Sequence, residues 1–275
     1  MIITTIIFAS HYVKRFLFAT LIFLALVPVS EGRTVAFLFA LDADWKAFQE
    51  AALAKPRARE MGGRTIFEVK VGDATVYATK MEAGCVQTAI SAQALLANRK
   101  VDLAVSVGPV GSLDDDLAVG SWAVVNAVVP WQKTEFAKIS ADSVPKIAFP
   151  ALEPLPASLA ERMSVSVASG EQFIASASQR AELALATGCQ AVDMNLFGLV
   201  SVLDLHAVPS IHLRVVSDKA DEAAREDFMS FFEAYTGEGG RMAAEIIAGL
   251  PPDMTSPAQY PALEKLLDGA AGEGE

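Results

Sequence analysis

The chain has 275 residues, 52% of them hydrophobic and 20% charged, with 18 glycines, 13 prolines and two cysteines. That length suits one large domain or two small ones, and disorder over most of it is excluded, because disorder needs low hydrophobicity and high charge. Twenty-two basic against 33 acidic residues leave a net charge of −11, which repels nucleic acid and anionic lipid.

The first element is a leader. Lys14 and Arg15 precede 14 uncharged residues, Phe16–Val29. A membrane-spanning helix needs about 20 apolar residues, whereas a secretory core needs roughly 7–15 after a basic start. Ser30 and Gly32 stand where small residues precede a cleavage site, so cleavage is expected before Arg33. An uncleaved anchor is the competing reading, since Met1–Ser10 is also apolar. The expected organisation is a signal peptide over 1–32, a folded domain over 33–250 and a loosely held tail over 251–275. It implies a periplasmic or secreted protein without stable membrane association after cleavage.

Strand-like and helix-like stretches then alternate. Thr34–Leu41 reads as a strand and Trp45–Ala54 as a helix; Phe67–Val71 and Ala74–Met81 flank a Gly72-Asp73 turn. A helix is expected over Cys85–Ala97, and a strand over Leu103–Val107 that runs into a turn, Gly108-Pro109-Val110-Gly111-Ser112. Trp122–Val129 is a β-branched run, and residues 130–160 read as an irregular, proline-marked excursion. Strands at Met163–Ala168, Ala191–Asp193 and Ser210–Val216 alternate with helices at Ser178–Thr187, Leu196–Leu205 and Arg241–Leu250. This pattern predicts a single α/β domain with a central mixed β-sheet flanked by helices. Cys85 and Cys189 read as two semi-buried thiols, and two cysteines with three scattered histidines call for no metal. No cofactor is expected.

In open α/β sheets ligands collect beyond the carboxyl ends of the strands. Those ends carry Asp42 and Asp44, the Gly108–Ser112 turn, Ser169–Ile174, Asp193-Met194-Asn195, and Arg214 to Asp221. Singly each has a plain structural use: Asp44 or Ser217-Asp218 as helix caps, Phe173 and Met194 as core.

Taken in order, these segments resemble the nucleoside phosphorylase/nucleosidase superfamily, and within it the methylthioadenosine/S-adenosylhomocysteine nucleosidases. The specific pieces are ASGEQFI (Ala168–Ile174), AVDMN (Ala191–Asn195) and RVVSDKAD (Arg214–Asp221). LDAD (Leu41–Asp44), EAGCVQTA (Glu82–Ala89) and the strand and turn from Val105 to Val125 support them. The resemblance implies hydrolysis of the N-glycosidic bond of a purine nucleoside with release of adenine. It makes Asp218 the acid that protonates the base, Asp44 the carboxylate that activates water and Arg214 the group that orients that water. Phe173 and Ile174 would meet adenine, Met194 and Asn195 the ribose, and Phe228 the 5′ substituent, with Ser217 beside Asp218. A homodimer is implied in the same way. The chain departs from the family where Asp44 replaces Glu, Asn195 replaces a carboxylate, and Pro109 replaces a small hydroxyl residue. An acidic first turn, and a segment Val105–Ser112 without Arg or Lys, favour water over phosphate as nucleophile. A phosphate-dependent purine nucleoside phosphorylase and a non-catalytic periplasmic nucleoside-binding protein are the alternatives.

The leader generates a direct expectation. N-terminal sequencing of protein from fractionated cells should give a chain beginning near Arg33 outside the cytoplasm. An intact N-terminus in the cytosolic fraction would refute export.

Overall fold

The computed structural model describes residues 32–250 apart from 54, 98, 133–146 and 149–161. The expected signal peptide (but for Gly32), the expected tail, and most of the proline-marked excursion lie outside the described residues.

β1 (Thr34–Phe39) is the strand from which the sheet is built. Its near-continuous apolar run is required because both of its faces are covered. Val35, Phe37 and Phe39 enter one core while Ala36 and Leu38 enter the other, the period-two alternation of a strand. On one side of β1 lie β4 (Ala74–Lys80), β3 (Arg64–Val71) and β2 (Arg57–Met61). β4 is parallel to β1, and β3 and β2 continue antiparallel. On the other side β5 (Leu103–Ser112) runs parallel to β1. β5 also pairs with β10 (Ser210–Asp218) and β9 (Ala191–Asp193). β10 pairs with β6 (Trp122–Pro130), β6 with β8 (Met163–Ser169), and β8 with β9, so these five strands form a closed circuit. The two-residue β7 (Ile147–Ala148) pairs with β6.

Helices cover both faces. α1 (Asp42–Ala51) and α6 (Glu238–Gly249) pack together over Phe37, Phe39 and Val105. There Phe37 stacks on Phe48 at 4.5 Å between ring centroids and Phe39 on Trp45 at 5.5 Å. α2 (Cys85–Leu96) and α4 (Leu196–Leu205) pack together on the other core, with Leu95, Leu199 and Leu203. α3 (Ala177–Thr187) and α5 (Ala224–Ala234) complete the set.

The predicted fold class holds, and several local expectations are corrected. Gly108–Ser112 is no turn: β5 continues through it to Ser112. Pro109 is tolerated there because β1 stops pairing at Val107, leaving β10 as its partner at that level. β10 likewise runs on to Asp218, so Ser217 and Asp218 are strand residues and not helix caps. Asp44 is not a cap either; α1 begins at Asp42, placing Asp44 in its first turn. β2 and α5 had no signal: RAREM is a charged edge strand, and α5 exposes Met229 and Phe232. Cys85 and Cys189 are buried thiols that are not joined in a disulfide.

The crossing of α2 and α4 depends on one missing side chain. A Cβ at Gly198 would sit 1.8 Å from the Cys85 carbonyl oxygen, so the two helix backbones touch there. Gly198→Ala should therefore lower stability by at least about 1–3 kcal/mol, the usual cost of overpacking. A urea denaturation midpoint equal to that of the parent would contradict the close crossing.

Candidate active site

A cavity of about 440 Å³ opens beyond the ends of β5, β9 and β10. Seven of the nine expected residues line it: Phe173, Ile174, Met194, Asn195, Ser217, Asp218 and Phe228. Phe173 and Phe228 meet edge to face, 6.1 Å between centroids, across its mouth. α5 adds Arg225, about one turn before Phe228, and Met229, next to it in sequence, and β5 adds Pro109 and Gly111. Asp44 and Arg214 do not line the cavity; both are fully buried behind it.

Asp218 owes its position to an irregularity in β10. Val216 pairs with Val110 and Asp218 with Gly111, leaving Ser217 as an extra, bulged residue. Gly111 is required opposite it, because a Cβ there would come within 2.9 Å of Asp218 Oδ1. The Ala220 N–H donates to Oδ1 at 2.9 Å, from a residue held at φ 53° and fully buried. A non-glycine residue in that region is strained and is held only by its surroundings. The Ser217 hydroxyl lies 2.8 Å from Asp218 Oδ2 and 3.1 Å from the Val110 carbonyl. Its one proton serves one of these acceptors, so a protonated Asp218 donating to Ser217 balances the set. Burial pushes the Asp218 carboxyl above the usual carboxylate range, helped by Asp227 and Asp221 and opposed by the Ser217 and Ala220 hydrogen bonds.

Asp44 and Arg214, outside the cavity lining, are both fully buried. Asp44 Oδ1 accepts hydrogen bonds from the Tyr235 hydroxyl at 2.6 Å and the Gly240 N–H at 3.1 Å. Among the described residues its Oδ2 is buried with no hydrogen-bond partner. Arg214 Nη1 donates to the Leu213 carbonyl at 2.8 Å and to Ser106 Oγ at 3.2 Å, while Nη2 is buried without a partner. Asp44 and Arg214 each lie in the other's field without forming an ion pair. The Asp44 Oδ2 acceptor and the Arg214 Nη2 donor are thus the atoms of these two side chains left to bond a further polar molecule.

Sequence reasoning passed over Asp193 as a site residue. Its carboxylate approaches Arg214 Nε at 3.7 Å and accepts the Leu196 N–H at 3.0 Å, capping α4. It is the counter-charge that lets a guanidinium be buried, and the signal for it was already present: a carboxylate at a strand end, two residues before the predicted Asn195. Asn195 itself donates through Nδ2 to the Glu82 carbonyl and to Thr88 Oγ1, both at 2.7 Å. With both amide protons committed to protein, its Oδ1 is the atom left to serve the cavity.

Burial raises the Asp44 carboxyl from its ordinary 3.8 to about 6, with Glu238 adding to the rise and the Tyr235 and Gly240 bonds and Arg214 opposing it. The fold thus holds the Asp44 proton more tightly than the unfolded chain does. Stability from this group falls as pH rises from 3.8 to 6 and stays lower above that window, by roughly 2–3 kcal/mol at most. Asp44→Asn removes this titration. Thermal melts should show the variant gaining on the parent between pH 4 and pH 6, with a constant lead above; a pH-independent difference would show that Asp44 does not titrate in this way.

The comparisons with known proteins agree with this fold. The sequence model of the phosphorylase superfamily matches residues 34–248. A 5′-methylthioadenosine/S-adenosylhomocysteine nucleosidase of Staphylococcus aureus (strain MRSA252) is 25% identical over 203 residues, 67% of this chain and 89% of that protein. Among solved structures, the Helicobacter pylori 5′-methylthioadenosine/S-adenosylhomocysteine nucleosidase superposes with a TM-score of 0.73 at 20% identity, covering 80% of this chain and 99% of its own. A mutant of the futalosine hydrolase of the same species gives 0.72 at 20% identity, covering 79% and 100%. With a match over nearly the whole described domain and the same fold in these structures, the chain belongs to the phosphorylase superfamily.

Proposed function

We propose that the protein hydrolyses the N-glycosidic bond of a purine nucleoside of the 5′-methylthioadenosine/S-adenosylhomocysteine kind and releases adenine. What favours this reading is the presence of two buried carboxyl groups, both with raised proton affinity: Asp218 lines the cavity, and Asp44, with one unpartnered oxygen, lies in the field of Arg214, which has one unpartnered nitrogen. The naming of the Staphylococcus aureus relative supports the substrate class.

The geometry suits this chemistry step by step. Adenine enters beside Phe173 and Phe228, whose rings offer apolar and edge-on contact to a flat base. Asp218, whose proton affinity burial raises, delivers a proton to a ring nitrogen as the bond from the anomeric carbon to the base breaks and its electron pair goes to adenine. A water molecule held between Arg214 Nη2, as donor, and Asp44 Oδ2, as acceptor, adds to the anomeric carbon and gives its proton to Asp44. Asn195 Oδ1 accepts from a sugar hydroxyl, and Met194 packs against the ring. Activity then needs Asp44 ionised and Asp218 protonated, which gives a bell-shaped pH profile in which the ionisation of Asp44, raised to about 6, contributes one limb. Water is favoured over phosphate because Asp44 would repel an anion at the nucleophile position and Val105–Ser112 supplies no cation to hold one. The same reading takes a homodimer as the working assembly, and export, supported by the Lys14-Arg15 leader, as the route to its place of action.

Adenine release from methylthioadenosine, adenosylhomocysteine, adenosine and inosine, with and without phosphate, tests the proposal. Phosphate should not accelerate release, and free sugar should be the product. Asp218→Asn should lower the rate by about 10²–10⁴-fold, the usual contribution of a positioned general acid, with the melt little changed. Sugar 1-phosphate as the main product, or a parental rate in Asp218→Asn, would overturn it.

A further inference from the structure

The shortened side chain at position 44 raises a question of reach. An aspartate has one methylene fewer than the glutamate usual in the family, so its carboxyl group lies closer to α1 and needs something else to set its direction. Two elements supply it. α6 begins against α1 with Gly237, Gly239 and Gly240, and a Cβ at Gly240 would fall 1.8 Å from the Asp44 carbonyl oxygen. That contact brings the Gly240 N–H to Asp44 Oδ1 at 3.1 Å. The second element is Tyr235, just after α5. Its ring stacks on Phe231 at 5.0 Å, and its hydroxyl accepts the Gly239 N–H at 2.9 Å while donating to Asp44 Oδ1 at 2.6 Å. Because the hydroxyl accepts from a backbone amide, the direction of its own proton is set toward Asp44. Oδ1 is therefore filled by two donors, and Oδ2 is the oxygen left unpaired.

We propose that Tyr235 is a positioning residue for the hydrolytic reaction, holding Asp44 Oδ1 so that Oδ2 is the oxygen presented to the attacking water. This rests on the reading of Asp44 as the group that takes the water's proton. Each charged group facing Asp44 belongs to a different element: Glu238 at the start of α6, Arg214 on β10, with the uncharged Tyr235 phenol at the end of α5. Of these, Tyr235 is the side chain bonded directly to the carboxyl group. Its hydrogen bond favours the ionised carboxylate, so removing it moves the proton affinity of Asp44 upward.

The test is the pH profile of kcat/KM for adenine release in three proteins. Tyr235→Phe removes the hydroxyl and keeps the ring on Phe231. It should lower kcat by roughly 10- to 100-fold, the range for a lost hydrogen bond to a charged group, with KM little changed. Its acidic limb should move to higher pH by about one unit. Replacing Tyr235 with 3,5-difluorotyrosine, a stronger donor of nearly the same shape, should move the limb to lower pH and keeps the test decisive if the phenylalanine variant folds poorly. A limb that stays in place in both proteins overturns the role of Tyr235, whatever the change in rate. Asp44→Asn is the third protein: loss of turnover there, with the limb unmoved by Tyr235 substitution, sinks this inference alone, whereas retained turnover in Asp44→Asn sinks the assignment of Asp44 as the base.

Discussion

The structure turns on a guanidinium buried where a guanidinium is expensive. Arg214 is 1% exposed at the middle of β10, among the strands of the closed circuit. Removing a charge from water costs several kcal/mol unless it is paired and hydrogen-bonded. Asp193 supplies the charge, and Ser106 Oγ and the Leu213 carbonyl accept hydrogen bonds from Nη1. Ser106 is itself within 2.7 Å of His212 Nδ1, whose Nε2 lies 2.9 Å from Ser210 Oγ, so a line of buried polar groups backs the arginine along the sheet. Burial, with Arg214's charge adding to it, pushes His212 well below its ordinary value and keeps it neutral. A second full cation beside Arg214 is thereby avoided. The remaining donor, Nη2, is left without a partner among the described residues, and Arg214 lies in the field of Asp44.

The departures from the family pattern read differently once side chains are in place. Asn195 carries no charge, yet its amide protons are tied to Glu82 and Thr88, so it offers the cavity an acceptor, as a carboxylate would. The negative charge nearby belongs to Asp193, which spends it on Arg214. Pro109 sits in β5 and lines the cavity with carbon in place of a hydroxyl. The shorter Asp44 is met by α6 and Tyr235.

Much of this was legible in the sequence because it is local. The apolar run of β1, the helical spacing of α2 and α4 and the acidic strand ends follow from neighbours a few residues apart. What escaped was set by distant segments. Whether Gly108–Ser112 turns or continues as strand depends on β10 lying beside it, and glycines that usually mark turns here make room for Ala40, Arg214 and Asp218. Asp44 was expected in the site and proved to lie behind it, since its depth depends on the glycines of α6, almost 200 residues away. Tyr235 gave no sequence signal at all: a tyrosine at the end of a helix acquires a role only through what its hydroxyl meets.

Everything in the account converges on two atoms that no other protein atom satisfies, Asp44 Oδ2 and Arg214 Nη2. The most direct measurement is a high-resolution crystal structure with a carbon-linked adenine nucleoside, which fills the cavity and resists cleavage. The account predicts one ordered water bonded to both atoms, facing the anomeric carbon from the side opposite Asp218 and the base. Asp44 and Arg214 paired directly with each other, with no water against the anomeric carbon, would contradict it.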